Sequence, residues 1–273
     1  MVQRYLRFPG GKRKALTFTF DDGTIEDVRL IEIFRKNGMR GTFNLNYGRM
    51  GNVTPTYTFI SPDQAKDIYT EDVCEVACHG MNHLYLQLMD TAQACAEIID
   101  DRRNLEALFG KQIHGMAYPF GTYNDAVVDI AKYAGIYYAR TVEYSMNFKM
   151  PTDWLRMPIT CHYSNPTLME LADKFLEDKP INEPQVFSVF GHGFEFTKRD
   201  NWKVIEDFCE KMANQDHIWY ATSMEIYTAW ADYKHLEYSA DGQLVFNPTV
   251  RSVWLGDRQG NTWEIKPGET IKF

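Results

Sequence analysis

No run of apolar residues in this 273-residue chain reaches the length needed to cross a bilayer, which excludes a helical membrane span. Cysteine is scarce and odd in number. Cys74 and Cys78 have no second close pair to match them, so a disulfide framework or zinc knuckle is excluded. The five cysteines read instead as small buried apolar residues in a reducing compartment. Surplus positive charge is missing too: 29 Lys and Arg against 37 Asp and Glu leave a net charge of -8. No nucleic-acid partner is expected, because phosphate binding rests on clustered Lys and Arg. A neutral or cationic substrate fits this balance, and so does a plain acidic surface. The first residues, Met-Val-Gln-Arg-Tyr-Leu-Arg, lack the apolar core of a secretory leader. The chain as it stands is expected in the cytoplasm, or in a secreted or periplasmic setting if a leader has been removed.

What is present is an ordinary globular composition, 44% hydrophobic and 24% charged. From residue 15 short runs of β-forming residues alternate with stretches of helical period, the mark of repeated β-α units around a parallel sheet. Seven strands are expected, at 15–20, 40–46, 73–78, 113–118, 136–141, 186–191 and 217–221. Helix signals lie between them: Ser61-Pro62-Asp63-Gln64 reads as a capping box with Pro at the first helical position, Asn124 and Asn165 as N-caps, and Gly38, Gly110 and Gly135 as stops. Seven such units can close into a barrel or remain an open doubly wound sheet. In either case Asp21, His79, Pro119, Arg140 and His192 fall at or just beyond strand C-terminal ends, where α/β folds build active sites. Beyond residue 236 the pattern changes to short β runs with turn signals. Residues 1–235 are therefore read as the main α/β domain and 236–273 as a small antiparallel β extension packed on it, with Trp254 and Trp263 as packing or sugar-stacking aromatics.

Three segments carry the chemistry. Asp21-Asp22-Gly23 follows the first strand; if the strand ends there, the two carboxylates diverge, and one can bind metal while the other faces the water. A simple Asp-Gly turn is the alternative. His79 and His83 have the i, i+4 spacing that sets two imidazoles on one side of a helical turn, within reach of one ion. A carboxylate and two imidazoles suit a divalent cation that keeps a position open for water, which points to hydrolysis. His192, flanked by Gly191 and Gly193, suits a general acid near neutral pH, or equally a buried structural histidine.

Thr19-Phe20-Asp21-Asp22-Gly23, the His79/His83 pair, Tyr118-Pro119-Phe120-Gly121 and His192, in that order, resemble the motifs of the polysaccharide deacetylase family, the NodB-homology or family 4 carbohydrate esterases, over roughly residues 15–230. The resemblance implies a distorted (β/α)7 barrel. It implies Asp22, His79 and His83 as ligands of a divalent metal, zinc first, with cobalt, nickel or manganese as alternatives. It implies Asp21 as general base, His192 as general acid and a backbone N–H near Phe120 as an oxyanion donor. It also implies removal of acetyl groups from N-acetylated, or O-acetylated, carbohydrate. Relatives that open cyclic ureides or imides suggest a second substrate class, a small non-sugar amide. A third reading is a carbohydrate-binding relative without catalysis. The chain departs from the pattern at Met116-Ala117-Tyr118-Pro119, where many members place an arginine that orients the catalytic Asp. Arg140 is the first replacement expected and Arg156 the second. Asp153-Trp154 corresponds loosely to the family's Asp-Trp segment, and His162 is a further polar residue of interest.

Overall fold

A computed structural model describes residues 3–273. In chain order the strands are Tyr5–Arg7 (β1), Lys14–Asp21 (β2), Gly41–Leu45 (β3), Cys74–Cys78 (β4), Gly115–Ala117 (β5), Tyr138–Tyr144 (β6), Met157–Ile159 (β7), Cys161–His162 (β8), Gln185–His192 (β9) and Ile218–Tyr220 (β10), with five short strands from Glu237 onward. The helices are Asp27–Asn37 (α1), Pro62–Ile68 (α2), Thr91–Phe109 (α3), Asp125–Tyr133 (α4), Leu168–Glu177 (α5), Gly193–Arg199 (α6), Trp202–Met212 (α7) and Ser223–Lys234 (α8). The helix punctuation holds in detail at Ser61, whose capping box forms, at Asn124, which accepts from Val127 N, and at Gly38 and Gly110, both left-handed C-caps. At α5 the cap is Thr167 instead. Asn165 makes an Asx turn just ahead of it, its Oδ1 accepting from Thr167 N.

The sheet closes into the expected seven-membered parallel ring, with one member exchanged. Strands β9, β2, β3, β4, β5 and β6 pair in parallel, and the segment 157–162 joins the two ends: β7 lies on β6 and β8 on β9. That segment is not among the expected strands: Pro158 interrupts it and each piece is two or three residues long. The expected strand at 217–221 does form, as β10, but it pairs beside the start of β2 (Ile218 with Lys14, Tyr220 with Leu16) and stands outside the ring.

Every residue of β2 is buried, because one face lines the barrel and the other meets helices. Leu16, Phe18 and Phe20 point outward; Phe18 packs on Phe34 of α1 at 4.4 Å and on Phe208 of α7 at 5.9 Å. Each such ring contributes on the order of 1.5–3 kcal/mol of burial free energy. The alternate residues Thr19 and Asp21 share the inner face, where Asn44 Nδ2 donates to Thr19 Oγ1 and to Asp21 Oδ1, both at 2.8 Å. The barrel interior is thus polar toward the C-terminal end of β2, and that polarity delivers a carboxylate to the mouth.

The last strands form two three-stranded antiparallel sheets, and β1 belongs to one of them, pairing with Val253–Gly256. Arg7, fully buried, donates to the carbonyls of Leu6, Ile181 and Asn182 beneath this junction. Trp263 packs edge-on against Phe273 at 4.9 Å. Trp254 is partly buried within the sheet that contains β1.

Candidate active site

Asp21 ends β2, fully inside the barrel mouth, and Asp22 follows with a φ of 79°. That left-handed turn is what makes the two side chains diverge. Asp21 faces Arg140, His79 and His192, whereas Asp22 faces His83, with Oδ1 3.6 Å from His83 Nε2. His83 and Phe120 also have positive φ, 57° and 59°, so three of the six non-glycine residues in this region of backbone space, among the described residues, border one site. Each such residue costs on the order of 1 kcal/mol or more, and surrounding structure must hold it in place.

The His79/His83 pair converges without the helical turn that its spacing suggests. Residues 79–83 form an irregular loop in which Gly80 takes a φ of 73°, and the two rings meet at a centroid distance of 4.8 Å. Helix α3 holds this loop from behind. Glu97 accepts from Asn82 N at 2.8 Å, and Asp101 accepts from His79 N at 2.9 Å and Tyr47 N at 2.8 Å. Burial pushes the Asp101 carboxyl up to about 7. Neither acid carries any signal in the sequence, since both look like ordinary polar positions of an amphipathic helix.

Asp22, His79 and His83 each offer one ligand atom, all within 4.8 Å of one another. His79 Nδ1 lies 2.8 Å from the carbonyl of Ala117, which can only accept, so the ring's proton sits on Nδ1. Nε2 is left as a bare lone pair, buried and without a hydrogen-bond partner. Burial lowers the basicity of both rings, His83 to about 4 with the neighbouring His79 adding to the effect. Two neutral imidazoles and a carboxylate match the donor set of a divalent cation.

Arg140, the first replacement expected for the missing arginine, reaches Asp21. Its Nη2 contacts both carboxylate oxygens of Asp21, and both residues are almost wholly buried. The register explains how. Ala117 of β5 pairs with Arg140 of β6, so the cation arrives from the neighbouring strand at the same level of the barrel. Burial opposes ionisation of Asp21, but Arg140 and the imidazoles of His79 and His192 outweigh it and hold the carboxyl at about 2. Arg156, by contrast, is paired with Asp125 and Asp153 at the surface. Asp153-Trp154 also lies elsewhere: Trp154 packs with Phe8, Ala15 and Tyr138 near the opposite end of the strands.

His192 ends β9 beside Asp21, its Nε2 4.0 Å from Asp21 Oδ2. The flanking glycines are required by close approach: a Cβ at Gly191 would lie 2.5 Å from Tyr163 Cδ1, and one at Gly193 2.5 Å from Asp27 Oδ1. Burial would lower the His192 pKa, but the Glu195 carboxylate and the negative field of Asp21 and Asp22 more than offset it, and the net shift is upward. Glu195 is the residue that sequence reasoning missed. It stands three residues after His192, the spacing of a capping-box acid, and its Oε2 accepts from His192 N at 3.3 Å and from His162 Nε2 at 2.8 Å. His162, from β8, is thereby brought to the same cluster.

Phe120 lies in the turn Pro119–Gly121 with its ring stacked on Tyr85 at 3.7 Å and edge-on to His83 at 4.3 Å. Both stacked rings are nearly half exposed at the mouth of the site.

Residues 8–139 match the polysaccharide deacetylase family, so the family resemblance carried by the motifs holds over that segment. YxkH of Bacillus subtilis, which bears a polysaccharide deacetylase name, is 24% identical over 131 residues, 48% of this chain and 45% of its own length. The chain thus spans about half the length of the curated relative it matches. Among solved structures, the PuuE allantoinase superposes with a TM-score of 0.62 at 14% identity, over 84% of this chain and 93% of that one. A family 4 carbohydrate esterase from Streptomyces lividans, in complex with acetate, gives 0.51 at 15% identity over 76% and 91%. These similarities identify the fold as the deacetylase-type (β/α) barrel.

Proposed function

We propose, with the polysaccharide deacetylase match as premise, that this chain is a divalent-metal-dependent hydrolase that removes acetyl groups from N-acetylated, or O-acetylated, carbohydrate. The observation that carries this reading is the bare, buried His79 Nε2 facing Asp22 and His83, one residue away from a carboxylate that Arg140 keeps ionised. Asp22, His79 and His83 would hold the cation, with zinc the first choice for this nitrogen-rich set. When bound, the cation supplies Lewis acidity, polarising the acyl carbonyl and acidifying water.

The chain's own residues supply the proton traffic. Asp21, ionised at neutral pH, takes a proton from the attacking water, and Arg140 fixes both of its oxygens while it does so. His192, on the other side of Asp21 from the ligand histidines, gives a proton to the amine as the carbon–nitrogen bond breaks. The products are acetate and the free amine. The backbone N–H in the Phe120 turn supports charge on the acyl oxygen, and the exposed Phe120/Tyr85 stack offers a face to a sugar ring. A second reading, a small amide or cyclic ureide as substrate, draws support from the likeness to the PuuE allantoinase over most of the chain.

The test is a substrate panel run on protein of known metal content. Acetate release from N-acetylated oligosaccharides, absent in Asp21→Asn although that variant keeps its metal, is the expected result. Turnover confined to cyclic ureides would select the second reading, and turnover of neither by the loaded protein would overturn both.

A further inference from the structure

Beside the candidate active site a closed hydrogen-bond cluster has no part in the proton traffic above. Arg199 Nη1 donates to Ser164 Oγ at 2.8 Å, and Ser164 Oγ lies 2.8 Å from His162 Nδ1. Ser164 N also donates to His162 Nδ1, at 3.1 Å. A nitrogen that accepts a backbone N–H carries a lone pair, so the His162 proton is on Nε2 and the Ser164 hydroxyl points at the ring. His162 Nε2–H then donates to Glu195 Oε2 at 2.8 Å, and Arg199 Nη2 pairs with Glu195 Oε1 at 3.1 Å. The same Glu195 Oε2 stands 3.5 Å from His192 Nδ1.

We infer that Glu195 and His162 are positioning residues that fix His192 with its retained proton on Nδ1, so that Nε2 is the nitrogen presented to Asp21 and to the reacting group. This rests on the proposed acid role of His192. An acid that gives its proton from Nε2 must be left as the Nδ1–H tautomer, and the carboxylate behind Nδ1 selects that tautomer. His162 contributes one step further out. By donating to Oε2, and with Arg199 on Oε1, it holds the Glu195 carboxylate where Oε2 stands 3.5 Å from His192 Nδ1. A carboxylate held only by its own helix would be free to turn to solvent, since Glu195 sits in the first turn of the short α6.

The same trio, His162, His192 and Glu195, has ligand atoms close enough to hold a cation. Two observations favour the positioning role. The guanidinium of Arg199 already neutralises Glu195, and the proton on His162 Nε2 occupies the atom that would bind.

The experiment is imidazole nitrogen NMR on 15N-labelled, zinc-loaded protein, above the titration of His192, paired with kinetics on the acetylated substrate. Wild type is expected to show His192 as the Nδ1–H tautomer, with Glu195→Ala moving it toward Nε2–H. The kcat is expected to fall on the order of a hundredfold in Glu195→Ala. In His162→Leu a fall of about tenfold is expected with KM nearly unchanged, and His162→Gln, which keeps an N–H donor, recovers most of it. If Glu195→Ala does not fold, His162→Leu carries the same NMR readout. A wild-type Nε2–H tautomer, a tautomer unchanged in Glu195→Ala and His162→Leu, or a second zinc equivalent lost in His162→Leu overturns the inference. An Nδ1–H signature that responds to the variants in a protein that turns over no substrate upholds the positioning and overturns the proposed hydrolysis.

Discussion

The two halves of the candidate site face each other across Asp21 and are built in opposite ways. On one side His79 presents a buried nitrogen with nothing to bind, and Asp22 and His83 converge on it from strained, left-handed backbone. On the other side Glu195, His162, Ser164 and Arg199 satisfy one another through hydrogen bonds, and His192 Nδ1 stands 3.5 Å from Glu195 Oε2. The first half holds free lone pairs at the cost of backbone strain, which suits a ligand yet to be added. The second half fixes protons on chosen atoms, which suits a group that must give one up. Asp21 belongs to both: its cation, Arg140, comes from the barrel wall between them.

The largest expected effect breaks the open half. His79→Ala should lose stoichiometric zinc and, with it, several kcal/mol of transition-state stabilisation, at least about a thousandfold in acetate release. Metal analysis beside a rate assay reads both, and a variant that keeps full activity would remove the metal from the reading. The next effect strikes the shared residue. Arg140→Met leaves an uncompensated buried carboxylate, so urea unfolding should show a loss of roughly 3–5 kcal/mol. Adding Asp21→Asn should return much of that stability but none of the activity; a double variant as unstable as the single one would show that Arg140 acts through packing instead.

The smallest effect sharpens the saturated half. The His192 pKa is raised above its ordinary 6.5 because Glu195, Asp21 and Asp22 more than offset burial. The acid form therefore persists to higher pH than that of an unperturbed imidazole, and kcat should fall on the alkaline side as pH rises through the raised value. In Glu195→Gln this limb should move to lower pH, because the amide no longer favours the imidazolium. A limb that does not move would detach Glu195 from His192.

The strand order was largely legible because buried parallel strands announce themselves as dense runs of Phe, Val, Leu and Tyr; all seven expected runs became strands. The exception was the piece that closes the ring. Met157-Pro-Ile-Thr-Cys-His is short and broken by a proline, and it is extended only because β6 and β9 stand open on either side of it. In the site, Asp21, Asp22, His79, His83 and His192 could be read from adjacency and spacing, although the helical turn inferred for the histidine pair is in fact a loop held by Glu97 and Asp101. Arg140 could be named but not placed.

By itself the sequence determined the residue types at the strand ends, and hence the kind of chemistry on offer, since side-chain identity sets what can bind a cation or carry a proton. Only the tertiary structure decided which of them meet. The pairing of Ala117 with Arg140 sends a guanidinium to Asp21, the closure of the ring by residues 157–162 brings His162 to Glu195, and the Ala117 carbonyl leaves His79 Nε2 bare. Each of these depends on register between strands distant in sequence, which no local pattern encodes.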